Sequence, residues 1–295
     1  MFFLEERFLW IRENYMKNIL CFLYLFISDK RYVIYRFKKA FGRKPDLRNP
    51  STFNEKLNWL RLYGDHERWN MCADKYRVRE FVRQRIGERY LIPLLGVYDK
   101  GENVDWEVLP TSFVLKANHG SGWNIICTNK EQLDKKETVC RLNGYLRRDY
   151  YIVGREIQYK GIVPKIVCEQ FIGTNDVVPE DYKFFCFHGE PYFIQIDEGR
   201  QSKHTRVIYD RDWNLLPMEY GFPKGEARER PEQLDEMLEI AAKLAEGEVF
   251  VRVDLYIVGE RIYFGEMTYT PENATGRFSP NSCDEEWGKL IKLPL

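Results

Sequence analysis

The chain has 295 residues, with 44% hydrophobic and 31% charged residues and only 13 Pro and 20 Gly, a composition that excludes a small stapled scaffold, a disordered segment or a fibre. Lys+Arg and Asp+Glu both number 45, so no global positive field is available to hold a polyanion. A nucleic-acid partner is therefore not expected, and any phosphate site must be local.

Ile19 to Ile27 form an apolar run of nine residues, between Lys17 and the basic residues Lys30, Arg31, Arg36, Lys38, Lys39, Arg43 and Lys44. A membrane-crossing helix needs about 20 apolar residues, so this run reads as a buried helix or as a helix lying on a membrane surface. Residues 1–72 as a whole read as a helical region: Thr52 and Glu55 have capping-box spacing, and Leu57, Leu60 and Leu62 follow on a helical period. Next come a predicted helix over 73–85, a short strand over 90–96, and the strand Ser112-Phe-Val-Leu-Lys-Ala117, which carries one lysine in an apolar run. A small-residue loop, Asn118–Gly122, leads to a strand over 123–127, and a helix is expected within 130–150.

The second half reads mostly as strands. These are 165–172, a hairpin of 181–187 with 192–197, 205–209, and the pair 250–257 and 262–267, with a helix between Pro231 and Gly247 before the last pair. The order predicts an α+β protein with largely antiparallel sheets. The four histidines have no metal-ligand spacing, and the seven cysteines include no C-x-x-C pair, as in a cytosolic protein.

The chemistry concentrates in the last strand pair. In Phe250-Val-Arg-Val-Asp-Leu-Tyr-Ile257 the period of two places Arg252 and Asp254 on one face, and Glu266 and Thr268 share a face of the next strand. A loop with an odd number of residues, such as Gly259-Glu260-Arg261, would set Asp254 opposite Glu266 and Arg252 opposite Thr268. Two carboxylates so placed need a cation between them, and hard oxygens suit Mg²⁺. Lys116, followed by Asn118-His-Gly-Ser-Gly122, can aim its ammonium at a phosphate while small residues let backbone N–H groups approach it. Together these point to a nucleotide–Mg²⁺ site.

These segments, with Ala73-Asp-Lys-Tyr76 and Asn49–Trp59, resemble the ATP-grasp superfamily, and the whole chain resembles the teichuronopeptide-biosynthesis-type (TupA-like) ATP-grasp family of bacterial surface-polysaccharide clusters. The resemblance implies two α+β subdomains clasping ATP, expected at 73–164 and 165–295 behind the helical region. It implies that Lys75 and Lys116 bind ATP phosphates under a mobile loop of Gly120, Ser121 and Gly122. It also implies that Glu169, Gln170, Phe171 and Ile172 read adenine, that Asp181 holds ribose, and that Lys183 acts on phosphates. Arg252 then stands beside the transferred phosphoryl group, and Asp254 and Glu266 hold Mg²⁺. The usual E-x-N tail is here Glu266-Met-Thr268, so either Thr268 or Asn273 would complete the metal site or only one ion is well held.

The implied reaction is carboxylate–amine ligation through an acylphosphate, on a uronic acid or similar sugar acid, in the cytoplasm or peripherally at its membrane. Arg200, Lys203, His204 and Arg206 form a basic cluster that either holds the anionic acceptor or is a solvated loop. The alternatives are a sugar kinase on the same fold, a glycosyltransferase using Asp210 and Asp212 as a D-x-D motif, and a catalytically silent binding module.

Overall fold

The structure, a computed structural model, describes residues 27–174, 177–199 and 203–294. Arg200 and all but the last residue of the apolar run 19–27 lie outside the described residues. Four helices come first: α1 (Asp29–Phe41), α2 (Phe53–Tyr63), α3 (His66–Ala73) and α4 (Val78–Arg85). The helix expected over 73–85 is thus broken. Asp74 ends α3, and its carboxylate accepts the N–H groups of Tyr76 (2.9 Å) and Arg77 (3.3 Å), a local turn that competes with helix continuation and leaves Lys75 outside both helices.

A four-stranded antiparallel sheet follows, in the order β1 (Leu94–Tyr98), β4 (Ile166–Gln170), β2 (Phe113–Ala117), β3 (Asn124–Cys127). Its first strand begins at Leu94 and not at the expected Tyr90, which instead ends a single 3₁₀ turn, Glu88–Tyr90. Helices α5 (Lys135–Leu146) and α6 (Tyr150–Gly154) lie between β3 and β4. Phe113, Leu115, Ile125, Leu142 and Ile166 make a small core between this sheet and α5. Because β4 pairs with both β1 and β2, this sheet and its core run past the expected boundary at residue 164.

The second sheet has five antiparallel strands in the order β10 (Arg261–Thr268), β9 (Phe250–Val258), β5 (Asp181–Phe187), β6 (Glu190–Glu198), β7 (Thr205–Asp210). A two-residue strand β8 (Glu219–Tyr220) pairs with β11 (Phe278–Ser279), and the helices α7 (Leu234–Ala245) and α8 (Ser282–Leu290) complete the chain. α7 lays Leu234, Met237, Ile240, Ala241 and Leu244 against the sheet at helical spacing. α2 is started by the predicted capping box, with Thr52 and Glu55 exchanging hydrogen bonds, and it buries Phe53 against Phe250, Phe278 and Trp287. The large core therefore takes in α2 and α3 together with the five-stranded sheet, with no break at residue 72.

Candidate functional site

The two sheets face each other across a cleft. On the first sheet, β2 alternates buried Phe113, Leu115 and Ala117 with Val114 and Lys116, which face the cleft. The register that pairs Val114 with Glu169 and Lys116 with Val167 sets Lys116 and Glu169 on one face, where Nζ and Oε2 are 2.6 Å apart. The other oxygen of Glu169 accepts from Arg79 of α4 (2.8 Å), whose second nitrogen donates to the Ile92 carbonyl (2.9 Å). Arg79 was not foreseen, although it lies only four residues beyond Lys75.

Lys75 enters from the Asp74 turn, and its ammonium donates to the Gly120 carbonyl. Burial lowers its pKa below the ordinary lysine value; nearby Lys116 adds to the shift and Glu266 opposes it. Asn118 ties the loop to that turn, donating to Asp74 (3.0 Å) and to the Val163 carbonyl (3.0 Å) while accepting the Lys165 N–H (2.7 Å). Gly120 must be glycine, because a Cβ there would lie 2.8 Å from both the Trp123 and Tyr150 rings. Gly122 has φ +71° with open space beside it, so the loop tip is unhindered.

On the second sheet, one row of paired residues runs Lys183, Asp254, Glu266, and the next runs Phe185, Arg252, Thr268. Asp254 faces Glu266 as expected, but for a different reason. The turn is the two residues Gly259 and Glu260, an even number, and a bulge between Phe264 and Glu266 supplies the one-residue shift. The bulge sits at Gly265, where a Cβ would lie 2.9 Å from both the Asp254 carbonyl oxygen and the Tyr256 ring.

Arg252 grips both oxygens of Asp254 (2.7 Å each) and reaches Thr268 (3.1 Å) and Glu266 (3.4 Å). Thr268 in turn donates to Glu266 (3.0 Å). Lys183 pairs with Asp181 at 2.6 Å and stands 3.7 Å from both Asp197 and Asp254. Burial pushes the Asp254 carboxyl up to about 6, against the lowering by Arg252 and Lys183.

Among the described residues no group of three or more His, Cys, Asp or Glu is arranged to hold a metal alone. Mg²⁺ is met by a smaller set, one or two carboxylates with phosphate oxygens and water filling the remaining positions. Glu266, 39% exposed, opens onto the cleft together with Lys75, Lys116, Ser121 and Gly122. Asp254 would serve a cation by exchanging its contact with Arg252. These hard oxygens fit Mg²⁺ in kind. Adjoining this space, Ile92, Val114, Ile126, Phe171, Ile172 and Tyr256 line an apolar slot, with Gln170 and Asp181 at its polar edge. An apolar slot beside paired ammonium groups and opposed carboxylates can hold a flat base, a sugar and a charged phosphate chain in one line.

Most of the remaining expected residues are committed to other contacts. Arg206 is buried and committed to Asp197 (2.6 Å), Glu272 (2.9 Å) and the Tyr220 carbonyl (2.5 Å). His204 stacks on Phe222, with ring centroids 3.6 Å apart, while Lys203 is exposed. Asp210 spends its carboxylate closing a turn onto the N–H groups of Asp212 and Asn214 and the Asn214 amide. Asn273 accepts from Arg61 (2.5 Å), a guanidinium only 2% exposed.

That contact belongs to a row the sequence reading passed over. Asn54, Asn58 and Arg61 lie along one face of α2 and donate in turn to the Gly276 carbonyl (2.8 Å), the Ala274 carbonyl (2.8 Å) and Asn273. They hold a loop in which Glu272, Asn273 and Ala274 all have positive φ, an unfavourable state for three successive non-glycine residues. Polar residues at i, i+4 and i+7 on an otherwise apolar helix face were the signal for them.

Two facing antiparallel sheets that oppose lysines and a small-residue loop to a carboxylate hairpin are the arrangement of an ATP-grasp fold. The model of the TupA-like ATP-grasp family matches residues 55–292, and the chain belongs to that family. No curated protein matches the chain. Among solved structures it is similar to D-alanine–D-alanine ligase from Bacillus anthracis complexed with ATP, at 17% identity and TM-score 0.42, over 68% of this chain and 54% of that one. It is also similar to L-amino acid ligase from Bacillus licheniformis, at 11% identity and TM-score 0.46, over 80% of this chain and 53% of that one. The chain thus spans about half the length of these neighbours.

Proposed function

We propose that the protein is an ATP- and Mg²⁺-dependent carboxylate–amine ligase of bacterial cell-surface polysaccharide biosynthesis, with a uronic acid or related sugar acid as its carboxylate substrate. The observation that carries this reading is the opposition of Lys75 and Lys116 to Glu266 across one cleft, with Asp254 beside Glu266 on the adjacent strand. Adenine occupies the apolar slot along Gln170–Ile172, and Asp181 takes the ribose. Lys75 and Lys116 hold the phosphates beneath Gly120–Gly122, and Lys183 sets the charge of the Asp254 row. Asp254 and Glu266, with Thr268, would hold Mg²⁺, which offsets phosphate charge when bound.

A substrate carboxylate oxygen attacks the γ-phosphorus and the bond to ADP breaks. The amine then attacks the acyl carbon, phosphate leaves with the C–O electron pair, and the nitrogen releases a proton. Arg252 stabilises charge beside the transferred group, and no protein nucleophile is needed. The loop held by α2 directly follows the strand that carries Glu266 and Thr268, which suits it to wall the acceptor side. The sugar-acid class is taken from the sequence resemblance to enzymes of surface-polysaccharide clusters, and the cytoplasm is the compartment that would supply the ATP.

ADP release, screened with uronic acids paired with amino acids or simple amines in Mg²⁺, tests this reading. Release that needs both partners and yields an amide is expected. A phosphorylated sugar without amide would instead make the protein a kinase, and turnover of a nucleotide sugar without ATP would make it a glycosyltransferase.

A further inference from the structure

Glu169 of β4 lines the cleft together with three cations, Lys75, Arg79 and Lys116. Its two oxygens are divided between two of them: Oε1 accepts from Arg79 of α4 (2.8 Å) and Oε2 from Lys116 of β2 (2.6 Å). Glu169 is only 8% exposed, and a carboxylate buried to that degree is costly to leave without a cation.

The two cations are not equivalent. Arg79 spends its second nitrogen on the Ile92 carbonyl (2.9 Å), so both prongs of its planar fork rest on fixed acceptors. Ile92 is itself buried, and the next carbonyl, that of Pro93, accepts the Gln170 N–H (3.0 Å), which ties this corner to the edge of the apolar slot. Lys116 has no hydrogen-bond partner but Glu169 among the described residues, and its side chain is 20% exposed against 10% for Arg79. A phosphate that enters the cleft therefore draws Lys116 and leaves Arg79 in place. As Lys116 turns, its hold on Glu169 weakens while Arg79 keeps the carboxylate balanced. Without Arg79 the same turn would strand a buried negative charge beside the phosphates, where like charges repel.

We propose that Arg79 is a positioning residue of the nucleotide site: it stands as the fixed counter-ion of Glu169 and so frees Lys116 to bind the phosphate chain. This role rests on the nucleotide reading of the cleft. It requires no contact between Arg79 and ATP, and it makes the effect of Arg79 depend on the charge of Glu169.

A double-mutant cycle on the full chain, with binding of a non-hydrolysable ATP analogue and Mg²⁺ measured by calorimetry, tests the proposal. Arg79→Gln should weaken binding about 10- to 100-fold, the range for losing a partner that orients a ligand-holding group. In a chain that already carries Glu169→Gln, the same change should cost no more than about twofold, the scatter of uncoupled sites, because no carboxylate remains to recapture Lys116. Arg79→Lys keeps the charge but loses the fork. It should fall between wild type and Arg79→Gln, and it carries the cycle alone should Arg79→Gln not fold. A cooperative melt above the assay temperature shows that each variant is folded. Equal losses in the two backgrounds would mean that Arg79 touches the nucleotide directly or only supports the fold, and Arg79→Gln binding as tightly as wild type would mean that it does neither; each result overturns the proposal. A wild-type chain that does not bind the analogue would overturn the nucleotide reading of the cleft, and this role with it.

Discussion

Lys116 stands among buried neighbours on β2, and its ammonium is balanced by a carboxylate that Arg79 also holds. Removing the lysine leaves Glu169 paired with Arg79, so the fold should survive while the phosphate chain loses a cation. Lys116→Ala is expected to lower ATP turnover by about 100- to 1,000-fold, the range for losing one charge-stabilising donor, with a melting temperature close to wild type. Asp254→Asn should do the same. Steady-state ADP release and thermal denaturation of each variant check both outcomes, and full activity in both would remove these residues from the site.

At the scale of elements, the β9–β10 hairpin and the α2 clamp hold the arrangement in register. Gly265→Ala puts a methyl group against the Asp254 carbonyl and the Tyr256 ring. The expected cost is about 1–3 kcal/mol in urea unfolding, with loss of turnover as Glu266 leaves its row. α2 is fixed to α8 by Asp284, which accepts the N–H and the side-chain amide of Asn54, both at 2.9 Å. Burial raises the Asp284 carboxyl above its ordinary value of 3.8, and the Asn54 hydrogen bonds oppose the shift. A raised folded pKa gives stability that is present below the ordinary value and lost as pH rises through the folded one. Wild type should therefore lose stability relative to Asp284→Asn as pH rises above 3.8, measured as the difference in urea midpoint; a difference that does not change with pH would contradict this.

For the molecule as a whole, what could be read from sequence was whatever depends on local period. The alternation in Phe250–Ile257, the small loop after Lys116 and the capping box at Thr52 each specify a face or an end by themselves, and each stands where it was expected. The misses depend on partners distant in the chain. The β9–β10 register is set by a bulge and not by the turn, and β4 joins a sheet across the expected boundary. Arg206 reads as a free cation until Asp197 and Glu272 fold against it, and the Asn54, Asn58 and Arg61 row has no meaning before the loop it holds is seen. Family membership fixes the ATP-grasp architecture; the reaction rests on the cleft.

A crystal structure of the full chain with a non-hydrolysable ATP analogue and Mg²⁺ tests the cleft most directly. The account predicts the triphosphate between Lys75 and Lys116 on one side and Asp254 and Glu266 on the other, with the base against Phe171 and Tyr256. A nucleotide bound elsewhere, or one whose phosphates touch only one of the two sheets, would contradict it.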